Sequence, residues 1–158
     1  MLIGIGYDIH RLVENRKLIL GGVEFDYPLG LLGHSDADVV IHAVCDALLG
    51  AAALGDIGDH FPDTDQKWKG VSSRLLLEKV ADAIKEKRLL VNNVDVVILA
   101  QRPKLGLKKL EMKKNIAECL KIDAGRVNIK ATTMEGVDGV GHGEAIAAQA
   151  IAGLCEMV

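Results

Sequence analysis

Apolar and polar positions begin to alternate at the first residues. Leu2-Ile3-Gly4-Ile5 opens a run reaching His10, and its period of two predicts a strand over 2–10. Two short apolar runs in 17–25 flank Gly21-Gly22 and predict a hairpin turning there. Pro28, Gly30 and Gly33 then mark a loop. Ser35 or Asp36 can cap a helix running to about Leu54, rich in alanine and leucine. Val39, Val40, Ile41, Val44 and the apolar stretch 47–54 predict that this helix is largely buried. Turn residues dominate 55–65, which reads as a long loop. Ser72-Ser73 cap an amphipathic surface helix over about 73–87, with Leu75, Leu76, Val80, Ala81 and Ile84 on one side. Residues 94–100 carry few polar positions on either face and predict a strand buried on both sides. A basic turn over 101–106, a helix over about 107–120 and a last strand over 126–133 follow. Beyond the glycine-rich loop 134–143, the apolar stretch from Glu144 to about Glu156 reads as a final helix.

Composition narrows the possibilities. A chain of 158 residues fits one domain, 1–158, large enough for its own core. Its hydrophobic content of 49% excludes a disordered or low-complexity chain. The class expected is α/β (α+β), a mixed sheet covered by helices. A net charge of −3, from 19 basic and 22 acidic residues, argues against a nucleic-acid surface. Aromatics at 3% leave little for stacking single strands. Cys45, Cys119 and Cys155 are odd in number and form no C-x-x-C, which fits a reducing compartment better than a disulfide framework. No leader pattern and no apolar stretch of membrane-spanning length is present, so the expected location is the cytoplasm.

Candidate chemistry gathers at four places. Asp8 and His10 lie two apart on a strand and project from one face, a half-site for a metal such as zinc. His42 is the candidate third ligand. It shares a helix face with Asp38 and Asp46, either of which could orient an imidazole from behind. The acidic loop 55–65 can bind hydroxyls or help hold a hard cation. Thr132, Thr133 and Glu135 offer two hydroxyls and a carboxylate to a phosphate–magnesium group, beside a glycine-rich loop. The chain lacks P-loop and dinucleotide spacings, a serine elbow and a Cys/His nucleophile pair. A metal-positioned reaction on a phosphorylated small molecule fits this inventory.

Taken together, the segments resemble one family across essentially the whole chain: 2-C-methyl-D-erythritol 2,4-cyclodiphosphate synthase, of the non-mevalonate isoprenoid pathway. The matching pieces are Gly6-Tyr7-Asp8-Ile9-His10, Leu32-Gly33-His34-Ser35-Asp36-Ala37-Asp38, His42, Asp46-Ala47-Leu48-Leu49-Gly50-Ala51 and Gly55-Asp56-Ile57-Gly58. Phe61-Pro62-Asp63-Thr64-Asp65, Asn93-Val94-Asp95, Lys130-Ala131-Thr132-Thr133 and Gly141-x-Gly143-Glu144 complete the set. The resemblance implies a phosphorus–oxygen lyase. Its substrate would be 4-diphosphocytidyl-2-C-methyl-D-erythritol 2-phosphate, whose 2-phosphate attacks the β-phosphate to give the cyclic diphosphate and CMP. It implies Asp8, His10 and His42 as ligands of zinc or another divalent transition metal, and Glu135 as a ligand of magnesium or manganese on the diphosphate. His34 and Ser35 would contact substrate phosphates, and Thr133 would orient the diphosphate, with His34 and Thr133 the catalytic pair. Asp56, Ile57 and Gly58 would meet the methylerythritol, aided by Phe61, Pro62, Asp63, Thr64 and Asp65. The stretch Ala100 to Gly106, including Leu105, would form the cytidine pocket, with Lys104 near the phosphates and Ala131 and Thr132 closing it. The family resemblance also implies a homotrimer with active sites between subunits.

The chain departs from many members at Gly139 and His142, where an aromatic and an arginine are common. His142 remains a candidate anion contact, but both changes weaken a diphosphate site on the trimer axis. Farnesyl diphosphate is expected to bind weakly or not at all, and tight binding in a calorimetric titration would overturn that. Two other readings of the residues are a metal-dependent phosphohydrolase and a non-catalytic trimeric binding protein with structural zinc.

Overall fold

The computed structural model describes residues 1–106 and 108–157. In chain order the strands are β1 (Leu2–Val13), β2 (Leu18–Leu20), β3 (Val23–Phe25), β4 (Gly30–Leu31), β5 (Leu89–Leu99), β6 (Val127–Thr132) and β7 (Ala145–Glu156). The helices are α1 (Val39–Ala51), α2 (Ile57–His60), α3 (Ser73–Glu86), α4 (Lys108–Leu120) and α5 (Asp138–Gly141). Residue 107, where the sequence predicts a helix start, lies outside the described residues. Strands β4-β1-β7-β5-β6 form one mixed sheet, antiparallel except for the β5–β6 pair, and β2–β3 form the expected hairpin.

The prediction for residues 144–156 is overturned. The stretch 145–156 is not a helix but β7, the central strand, paired with β1 on one side and β5 on the other. Alanine favours helices intrinsically, but tertiary context overrides propensity. Here Ile146, Ala148, Ala150, Ala152 and Leu154 alternate onto the face beneath the helices and are buried, whereas Gln149 and Ile151 face out. Small side chains suit a strand on which a helix must lie close.

Helices α1, α3 and α4 cover one face of the sheet, and a continuous apolar core fills the layer between. The approach of α1 is set by β1. Gly4 and Gly6 point at it, and a Cβ on either would sit about 2 Å from the carbonyl oxygens of Ala47 and Ala43. The other face is open. Ile3, Ile5, Tyr7 and Ile9 of β1 stand exposed there, beside Ile151 of β7. β5 is therefore buried on one side only, through Val94, Val96 and Ile98, and not on both as its sequence suggests.

The start of α1 also differs from expectation. The N-cap is Asp38, not Ser35 or Asp36. Asp38 is fully buried and accepts from the N–H groups of Val40 and Ile41 in its own helix, and of Gly21 and Gly22 in the hairpin turn. A single carboxylate thus ties the hairpin to the helix. α3 begins as expected after Ser72, although that side chain makes no capping bond. Its buried face comprises Leu76, Leu77, Val80 and Ile84, with Leu75 turned to solvent.

Candidate metal centre and cleft

Close packing of α1 on β1 brings His42 to Asp8 and His10. His10 Nε2 lies 2.8 Å from Asp8 Oδ2, His42 Nδ1 lies 3.0 Å from the same oxygen, and the two ring nitrogens are 3.3 Å apart. A tetrahedral ion with bonds of about 2.0–2.1 Å has ligand atoms about 3.3 Å apart, so the spacing fits a divalent metal. The chemistry of the donors fits as well. His10 Nδ1–H donates to Leu32 O at 2.5 Å, which leaves Nε2 with a lone pair facing inward. His42 Nε2 meets Ser35 Oγ at 3.1 Å and Ser73 Oγ at 3.0 Å, which leaves Nδ1 facing inward. Two imidazole lone pairs and a carboxylate oxygen converge on one point, and a cation there is the natural complement.

Electrostatics agree. Burial opposes ionisation of Asp8, yet its bonds to His10 and His42 hold its carboxyl well below the usual carboxylate range. Burial also opposes a charged His10, but the Asp8 carboxylate outweighs it and raises the imidazole pKa. Neither Asp38 nor Asp46 orients an imidazole, in contrast to the sequence expectation. Asp38 caps α1, and Asp46 accepts the N–H of Ile57 at 2.8 Å. Ser35 and Ser73 take that place instead. Ser73 was legible only as part of a helix cap, because its contact with His42 crosses 31 residues.

The triad lies in a cleft of about 590 Å³. Asp8, His10, His34, Ser35, His42, Ile57, Gly58, Phe61, Pro62, Asp63 and Thr64 line it, joined by Gly33, Asp46, Trp68 and Leu76, for which the sequence predicts no substrate contact. The 55–65 segment is partly helical. Asp56 and Asp59 form a reciprocal capping box around α2, so Asp56 faces its own backbone and does not line the cleft. His34 Nε2 lies 3.1 Å from Asp65 O, tying the loop after β4 to the loop after α2. Arg16 clamps the same region by donating to Gly33 O at 3.0 Å and Ser35 O at 2.9 Å.

The second group of predicted residues lies elsewhere. Ala100, Lys104, Leu105, Gly106, Ala131, Thr132, Thr133, Glu135 and His142 do not line this cleft. Strand register shows why: Asp8 pairs with Ala148, Ala148 with Ile98, and Ile98 with Ala131. Both groups therefore occupy the same end of the sheet, three strand spacings or roughly 14 Å apart. In the second group Thr133 Oγ1–H donates to Glu135 Oε1 at 2.8 Å, and Glu135 holds a left-handed φ of 52°. The Gln101 Oε1 atom, next to Ala100 in the chain, is buried without a hydrogen-bond partner among the described residues. His142 closes the short helix α5 with its backbone N–H.

A mixed sheet with helices on one face and an Asp/His/His triad at its end defines an α/β protein with a candidate divalent-metal site. The model of the YgbB family matches residues 1–155, and the chain belongs to that family. It is 61% identical over 156 residues to a 2-C-methyl-D-erythritol 2,4-cyclodiphosphate synthase of Desulfosudis oleivorans, covering 99% of this chain and 93% of the relative. The bifunctional IspDF structure from Campylobacter jejuni superposes with a TM-score of 0.94 at 42% identity, matching 98% of this chain and 42% of that longer one. A Plasmodium falciparum IspF in complex with CDP gives a TM-score of 0.87 at 33% identity, with 99% and 97% covered.

Proposed function

We propose that this chain is a 2-C-methyl-D-erythritol 2,4-cyclodiphosphate synthase, converting 4-diphosphocytidyl-2-C-methyl-D-erythritol 2-phosphate to the cyclic diphosphate and CMP. The observation that carries the reading is the three-donor triad in an open cleft, in a chain 61% identical to a synthase of that name. A structural zinc site is closed by four protein ligands, so three donors among the described residues favour a working site over a structural one. When bound, zinc at Asp8, His10 and His42 and magnesium or manganese at Glu135 would supply positive charge and Lewis acidity to the phosphates.

The chain's own residues do the rest. The nucleophile is already an anionic phosphate, so no strong general base is needed. Repulsion between anions and the entropy of ring closure make the barrier. His34 and Ser35 contact the substrate phosphates, and Thr133 orients the diphosphate. Ile57, Gly58 and the loop 61–65 seat the methylerythritol, with Asp56 setting the fold of that turn. Ala100, Leu105, Gly106, Ala131 and Thr132 hold the cytidine end, with Lys104 near the phosphates. Fixing both ends of one substrate converts entropy into rate, with roughly 7–11 kcal/mol as the ceiling for ideal alignment.

The two groups of residues stand about 14 Å apart in one chain, which supports a homotrimer whose sites form between subunits. The exposed apolar row of β1 supplies a surface for that assembly. On this reading residues 1–158 act as one domain in the cytoplasm, and none of the described helices is long and apolar enough to cross a membrane. Incubation with the substrate, zinc and magnesium, followed by phosphorus NMR, tests the proposal. CMP with two coupled cyclic-diphosphate resonances is expected, and release of inorganic phosphate would instead indicate a hydrolase.

A further inference from the structure

His42 reaches the triad through Nδ1, so its other ring nitrogen points back toward the start of α3. A neutral imidazole carries one proton. If Nδ1 offers its lone pair to a cation, the proton resides on Nε2 and needs an acceptor. Two serine hydroxyls stand there, and they are not equivalent. Ser35 lines the cleft and accepts the N–H of Ala37 at 3.1 Å. Ser73 is fully buried and does not line the cleft. Its hydroxyl donates to Asp36 Oδ1, and its backbone N–H donates to Asp36 Oδ2 at 3.0 Å. With its proton committed to a carboxylate, Ser73 Oγ can present only lone pairs to His42, 3.0 Å away. Asp36 is itself fixed, since its N–H donates to Val71 O at 3.0 Å and its Oδ1 also accepts the N–H of Asp38.

We propose that Ser73, held by Asp36, is a positioning residue for the metal site: its hydroxyl accepts the Nε2–H of His42 and so fixes the tautomer and tilt that turn Nδ1 toward the ion. Ser73 makes no contact with substrate. The proposal rests on the metal reading above and assigns to a Ser73–Asp36 pair the task that a carboxylate or carbonyl performs directly for other metal-binding histidines. His10 shows the contrast within this site, because its outer nitrogen uses the Leu32 carbonyl. His10 is thus oriented by backbone and His42 by side chains that bridge the 33–38 loop and α3. Ser35, whose hydroxyl also faces the cleft, remains free to turn toward a ligand while Ser73 keeps the ring in place.

Cobalt(II) binding to the full chain without substrate tests this, with S73A, D36N and a hydroxyl-retaining S73T. Wild type should bind one cobalt per chain and show intense visible bands of a four-coordinate site. S73A and D36N should bind cobalt about 10–100-fold more weakly and shift those bands, whereas S73T restores the wild-type spectrum. Thermal melts of the metal-free variants separate the effect from loss of fold, and D36N serves if S73A does not fold. Wild-type affinity and spectrum in both folded variants would overturn the proposal while leaving the metal reading intact. Failure of wild type to bind cobalt would remove both.

Discussion

Among the described residues, Asp38 accepts more backbone N–H groups than any other side chain. Its two oxygens accept four backbone N–H groups from the hairpin turn and the start of α1. Burial pushes its carboxyl up to about 6, and the Asp36 carboxylate adds to the rise, against the pull of those donors. The sign follows from linkage. A carboxyl whose folded pKa exceeds the unfolded 3.8 takes up its proton first in the folded state. Asp38 therefore weighs against folding above about pH 6, and this cost eases as pH falls from there toward 4. D38N should destabilise at every pH, since an amide keeps one acceptor oxygen and sets its own N–H groups against the donors the lost oxygen served, the three on Oδ1 or the one on Oδ2. The loss should be larger at pH 5 than at pH 7.5 by on the order of 1 kcal/mol, read from denaturant midpoints at the two values. An equal loss at both would show that the carboxyl titrates below this range.

Elements were legible where local pattern and tertiary role agree. The hairpin, α3 and the Asp8/His10 half-site could be read because alternation and glycine placement are local signals. β7 could not, because its alanines answer to α1 lying across them and not to their own backbone. The cap of α1 was missed because Ser35, Asp36 and Asp38 are all good capping types. Only the fold shows that Ser35 and Asp36 turn toward His42 and Ser73. The glycines of β1 were visible as a pattern, but their purpose was not. Gly6 faces the Ala43 carbonyl, where a methyl group would come within 2.0 Å. G6A should push α1 off the strand, cost about 1–3 kcal/mol and weaken metal binding by separating His42 from Asp8. Gly50 is the control. It sits within α1 with its nearest obstacle 3.9 Å away, so G50A should gain about 0.5–1 kcal/mol and leave metal affinity unchanged. Melting curves and metal titrations of the pair check both.

At the scale of the molecule, the covered and open faces of the sheet have different tasks. The covered face holds the core and aims the triad. The open face leaves Ile3 70% and Ile5 61% exposed on a strand whose next neighbour adds Ile151. Apolar rows of this kind mark association surfaces. I5E should therefore leave the subunit folded, with an unchanged circular dichroism spectrum, and yield a species near 16.9 kDa by light scattering. An unaltered oligomer would place the interface elsewhere. Site legibility follows the same division. The triad was readable because Asp8 and His10 are neighbours in sequence. The separation of the 100–106 and 131–135 residues from it was not, because sheet order is a property of the whole chain.

Strand order also bears on how the protein is made. β1 is made well before its long partner, β7; only the two-residue β4 flanks its other side. Two of the three candidate metal donors thus ride on a strand that lacks its long partner until β7 is made. A nascent chain can assemble the hairpin, α1 and α3 early, but the strand that carries Asp8 and His10 is paired along its length only once β7 has been made. An ion held by Asp8, His10 and His42 would tie β1 to α1 before β7 arrives to complete the pairing.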